Sequence, residues 1–114
     1  MIELSKRAVA CRHWRWLPGM RVVNPSTGEE RIVDIFGEAG AWGGNAGRLP
    51  ILNDPATVGC LLALVREAWG DPMAFAAVNT DGGGSPWRVS TRAGWVGHYP
   101  TEAEALVAAL EAAP

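Results

Sequence analysis

The sequence predicts an α+β domain: a mainly antiparallel sheet of roughly four to six strands packed by about three helices in a layered sandwich. Three observations lead there. Apolar residues recur with helical spacing near the start, in the middle and at the end of the chain. Between those segments, short runs alternate with period two. The connections between the runs are of hairpin length, whereas parallel strands need crossovers of about a dozen residues or more. A chain of 114 residues can bury one core and is too short for two, so a single domain spanning 1–114 is expected.

Residues 3–12 suit a first helix, with Leu4, Ala8 and Cys11 on one side and Lys6 and Arg7 elsewhere. From His13 the period changes to two. Trp14 and Trp16 then project to one face and His13 and Arg15 to the other, which predicts a short first strand. Leu17-Pro18-Gly19 turns the chain, 20–24 reads as a strand, PSTG at 25–28 is a reverse turn and RIVDIF at 31–36 returns as the hairpin partner.

GEAGAWGGNAGRLP, residues 37–50, carries five Gly and no periodicity. Irregular connections of this length are uncommon in small domains and usually serve as functional loops. The next boundary is sharp. Asp54 is an N-cap, Pro55 fits the first helical turn, and Gly70 can end the helix in a left-handed conformation. Val58, Leu61, Leu62, Val65 and Trp69 give this helix an apolar stripe wide enough for the central packing element.

MAFAAVNT at 73–80 reads as a strand and DGGGS as a turn. PWRVSTR at 86–92 then alternates Trp87, Val89 and Thr91 against Arg88, Ser90 and Arg92. WVGHY at 95–99 is a weaker last strand. Thr101 and Glu104 have capping-box spacing, opening a final helix whose apolar face is Ala103, Leu106, Val107 and Leu110. The predicted order is α-β-β-β-α-β-β-β-α.

Composition narrows the functional classes. Apolar residues make up 48% and charged residues 19%, with no apolar run of eighteen, so no membrane span is expected. The first residues lack the apolar core of a signal peptide, which makes the cytoplasm the expected compartment. Two cysteines, Cys11 and Cys60, are too few for a disulfide framework and are expected to be reduced and structural. Residues 1–31 hold six basic and three acidic groups and the remainder four and nine, for a net charge of −2. That balance disfavours duplex nucleic acid, which demands broad phosphate neutralisation. A small anion needs only two or three placed arginines.

No complete catalytic signature is present: there is no Gly-x-Ser-x-Gly, no His-Glu-x-x-His and no paired-carboxylate motif. Cys11, His13, Cys60 and His98 come from three separate elements and lack zinc spacing, so neither a metal nor a cofactor is expected. The triple Gly at 82–84 is followed by Pro and a strand rather than by Lys-Ser/Thr and a helix, so it reads as a hairpin turn.

Six Trp is high usage for this length. Trp69 and Trp87 fall on apolar faces and read as core. The candidate ligand-facing indoles are Trp14, Trp16, Trp42 and Trp95. In the 37–50 loop, Trp42 offers a stacking surface, Asn45 an amide able to read a base edge, and Arg48 a guanidinium for phosphate. Arg88 and Arg92 share a strand face suited to clamping a phosphate, and His98 lies on the neighbouring strand. These groups suit a nucleotide-like molecule.

Trp14-Arg15-Trp16 followed by Pro18-Gly19-Met20, then LNDPATVGCLLALVREAWG at 52–70 and TEAEALVAALEAA at 101–113, resembles the phage alpha-beta-alpha sandwich domain, a family of small phage and prophage proteins. The likeness covers less than half of the chain, and its distinctive part is Asp54-Pro55-Ala56-Thr57 with Gly59-Cys60-Leu61. It implies a helix-sheet-helix layered fold and brings no catalytic residues. It also implies an accessory, anti-defence role. The expected function is therefore non-enzymatic sequestration of a nucleotide-derived immune signal, by a homodimer whose interface helps to build the pocket. The alternatives are a protein-binding inhibitor of a host defence factor, and an enzyme degrading such a signal through His13 or His98.

Overall fold

The computed structural model describes residues 1–34, 47–79 and 83–114. Three helices and two three-stranded antiparallel sheets are formed among them. The α+β class is as the sequence predicts, and the expected single sheet is replaced by two smaller ones.

Helix α1 spans Ile2–Ala10 and buries Leu4, Ser5 and Ala8. Strands β1 (Arg21–Val23) and β2 (Glu30–Ile32) form the hairpin read at 20–36. Asn24 organises its turn. Its carbonyl accepts from Gly28 N–H at 2.7 Å, its side chain accepts from Ser26 N–H at 3.0 Å, and Gly28 takes the positive φ of 76° that the tight return requires. Strand β3 (Leu49–Pro50) pairs with the free side of β1, giving the order β2-β1-β3.

The expected strand at 13–16 is not one. Its alternation survives, because Trp14 and Trp16 do meet on one side, yet among the described residues no partner strand runs beside it. Side chains tie it down instead: Arg15 pairs with Glu67, while Arg12 and His13 reach the carbonyl of Ala113. The strand count before the second helix agrees with the sequence reading only because β3, within the stretch read as loop, replaces it.

Helix α2 (Pro55–Trp69) begins and ends where its signals stand. The Asp54 side chain accepts from Thr57 N–H at 3.0 Å. At the other end Gly70, at φ 61°, closes a Schellman motif: Gly70 N–H reaches Glu67 O and Asp71 N–H reaches Arg66 O. Strands β4 (Phe75–Val78), β5 (Trp87–Thr91) and β6 (Gly94–Tyr99) make the second sheet in that order.

Helix α3 (Glu102–Ala112) starts at Thr101, whose Oγ1 accepts from Glu104 N–H at 3.2 Å. This helix, rather than α2, is the central packing element. It packs against α2, α1 and all three strands of the second sheet, and buries every residue from Ala105 to Leu110 as well as Ala103. Its alanines carry little side-chain volume, so a sheet and two helices can close on it at interior packing density. One buried cluster joins Leu4 of α1, Val22 of β1, Leu61 and Val65 of α2, Val89 of β5 and Leu106 of α3. Because α3 covers one face of the second sheet, residues of the opposite parity are left toward solvent. No helix among the described residues is long and apolar enough to cross a membrane.

Candidate ligand-binding site

The uncovered face of the second sheet is aromatic. Phe75, Ser90 and Trp95 are cross-strand neighbours on β4, β5 and β6, while Ala76, Val89 and Val96 form the matching row on the other face. Ser90 is small, so the rings from the two outer strands meet across it. Phe75 and Trp95 lie with centroids 5.7 Å apart in a T-shaped pair. Phe75 remains 45% and Trp95 50% exposed.

The next row is Ala77, Arg88 and Gly97. A Cβ on Gly97 would stand 2.5 Å from Arg88 Cβ, so glycine is required here by close approach. The Arg88 guanidinium carbon sits 3.9 Å from the centroid of the Trp95 ring, and its Nε is buried without a hydrogen-bond partner.

A second guanidinium–indole pair lies elsewhere. Trp14 and Trp16 form a T-shaped pair at 5.3 Å, and the Arg48 guanidinium carbon is 5.4 Å from the centroid of Trp16. Arg48 is only 8% exposed. Arg48 Nε and Trp14 Nε1 are both buried and without a hydrogen-bond partner.

These two arginines stand apart from the other basic residues. Lys6, Arg7, Arg15, Arg21 and Arg31 each face a carboxylate. Arg12, Arg66 and Arg92 each donate to a backbone carbonyl. Arg48 and Arg88 alone among the described basic residues lie on a Trp ring with no acceptor. A charge-assisted hydrogen bond contributes about 1.5–3 kcal/mol, and a cation–π contact about 0.5–2 kcal/mol, so each stack leaves capacity for an anion.

The remaining predicted site residues are distributed as follows. Arg92 does not converge with Arg88, because β5 ends at Thr91 and the chain turns; its Nη1 lies 3.5 Å from the Trp69 carbonyl at the end of α2. His98 is exposed at the register shift of β6, where Trp87 pairs with Tyr99 and Arg88 with Gly97. Trp42 and Asn45 lie outside the described residues. Phe75 is a member of the platform that sequence reasoning missed. Its only signal was membership of an alternating strand, and alternation does not say which face another element covers.

Among the described residues no group of three His, Cys, Asp or Glu side chains could hold a metal. Both cysteines are free. Burial, reinforced by the Asp54 charge, pushes the Cys60 thiol up from its ordinary value, which lowers its thiolate fraction and reactivity. Trp69 and Trp87 pack against the core as expected, and Trp69 Nε1 donates to Ala109 O at 2.8 Å. Comparison with family models, with curated proteins and with solved structures finds no match.

Proposed function

We propose that this chain is a non-enzymatic binding protein that takes up and holds a nucleotide-derived signalling molecule on the Phe75–Trp95–Arg88 face. One observation carries the reading: the unpaired Arg88 guanidinium lies 3.9 Å from the centroid of a half-exposed indole. A base stacked on an aromatic ring gains about 1–3 kcal/mol, and a phosphate on the guanidinium adds about 1.5–3 kcal/mol. Together these correspond to roughly millimolar binding for one face alone. Sequestration needs more, which two copies facing each other across the ligand would supply. The accessory role in countering host defence rests on the family resemblance.

Calorimetry against a panel of cyclic nucleotides and ADP-ribose isomers tests the proposal, with Trp95→Ala and Arg88→Met beside the parent chain. The expected result is heat with at least one member and a loss of tenfold or more in affinity in each variant. An intact fold with no heat for any member would overturn it, as would binding that both variants leave unchanged.

A second reading, a protein-binding inhibitor of a host factor, is favoured by the exposed apolar residue Met73, two positions before Phe75, together with the half-exposed Phe75 and Trp95. Apolar residues exposed together commonly mark protein contacts. Pull-down from host lysate separates the two, returning a polypeptide in one case and a small molecule in the other.

A further inference from the structure

We infer that the Trp14–Trp16–Arg48 cluster is a phosphate-group site separate from the sheet platform. Arginine cannot shed its proton in a protein, so Arg48 carries its charge into a position where only 8% of its surface reaches solvent. A buried charge requires both a counter-charge and hydrogen-bond acceptors. Trp16 supplies the π face, at 5.4 Å, and no described residue supplies an acceptor to Nε.

The second observation is independent of the first. Trp14 packs edge-to-face on the same Trp16, and its indole Nε1 is likewise buried and unpartnered. Indole N–H groups usually find a partner when buried. Two orphan donors therefore flank one ring, one of them charged. A water molecule would answer the hydrogen bonds but not the charge. A phosphate answers both, because its tetrahedral oxygens can accept from donors that point in different directions, whereas a planar carboxylate suits the guanidinium edge alone. The phosphate can be free or part of a nucleotide.

Both orphan donors are observable in a nitrogen–proton correlation spectrum of the full chain, as the Trp14 indole and Arg48 Nε–H signals. The spectrum is followed while inorganic phosphate, adenosine monophosphate or adenosine is added at constant ionic strength. Both signals are expected to move saturably with inorganic phosphate and with the monophosphate, and to stay still with adenosine. Trp14→Phe keeps an aromatic side chain and removes one donor, and is expected to weaken phosphate binding about tenfold, as read on the Arg48 signal. Movement with the monophosphate but not with inorganic phosphate would mark the site as part of a nucleotide pocket and not a free-phosphate site, with the phosphate assignment retained. The inference fails if neither signal moves with inorganic phosphate or with the monophosphate, or if adenosine moves them equally. It also fails if Arg88 alone responds, an outcome that leaves the platform proposal standing.

Discussion

Gly97 and Gly59 make a paired test, because the same substitution has opposite signs at the two positions. A Cβ added at Gly97 would come within 2.5 Å of Arg88 Cβ and 2.9 Å of Arg88 Cα. Carbon atoms rest at about 3.5–4.0 Å, so roughly an ångström must be found, and Cα and Cβ cannot rotate away. Strand β6 must shift off β5. Overpacking of this kind costs about 1–3 kcal/mol, and weakening one ladder hydrogen bond adds about 1 kcal/mol. Gly97→Ala is therefore expected to lose about 2–4 kcal/mol. At about 2.1 cal/mol/K of unfolding entropy per residue, a chain of this size shifts by about 4 °C per kcal/mol, so the melting temperature falls by about 8–16 °C.

Gly59 sits inside α2 with nothing within 4 Å of an added Cβ. Gly59→Ala removes only backbone freedom from the unfolded chain, and is expected to gain about 0.5–1 kcal/mol, or about 2–4 °C. Urea unfolding followed by circular dichroism measures both variants, with equal slopes confirming that the midpoints report stability. A Gly97→Ala variant that stays within about 0.5 kcal/mol of the parent, the range of an ordinary surface substitution, would refute a requirement for glycine at this close approach.

Two further predictions concern charge. Hydrogen bonds from the backbone and side chain of Thr57, with the Arg21 charge, hold the Asp54 carboxyl below its ordinary value. Its contribution is therefore complete above the unfolded pKa near 4 and is lost as pH falls through the lower folded value, so the advantage of the parent over Asp54→Asn, read by thermal melting, should be present at pH 7 and close below about pH 4. Arg48→Met exchanges an uncompensated buried cation for an apolar side chain of similar reach, and such exchanges are often neutral or stabilising by about 1–4 kcal/mol. In phosphate-free buffer this variant should melt no lower than the parent, whereas a markedly lower melting temperature would show that Arg48 is a structural strut.

Local signals made α2 legible to within a residue, since Asp54, Pro55 and Gly70 act on their own neighbours. Hairpins were legible for the same reason. What could not be read was which strands meet across longer separations. Val22 pairs with Pro50 through contacts that no turn specifies, and the Trp14–Trp16 alternation looks like a strand although no described strand pairs with it. The hub role of α3 was hidden because its alanines look generic, although small size is what lets three neighbours approach it. Of the site, the stacking residues Trp95 and Arg88 were named from composition and parity. Their contact depends on Gly97, a residue whose importance comes from an opposite strand and not from its own conformation.

The contrast between the two stacks suggests a division of labour. Eight basic residues are satisfied locally by carboxylates or carbonyls, so the fold has the means to pair its cations. Arg48 and Arg88 are left on indoles, one buried and one beside an open face. Solvent can screen Arg88, which makes its stack cheap to keep and suits a ligand that arrives and lies flat. Burial denies Arg48 that screening, so its unmet charge acts more strongly on any anion that reaches it. As separate sites, the two are expected to respond independently in the same titration. Following Trp14 and Trp95 indole signals together during addition of a nucleotide therefore tests the separation: two midpoints are expected, and movement of both signals with one midpoint would refute it.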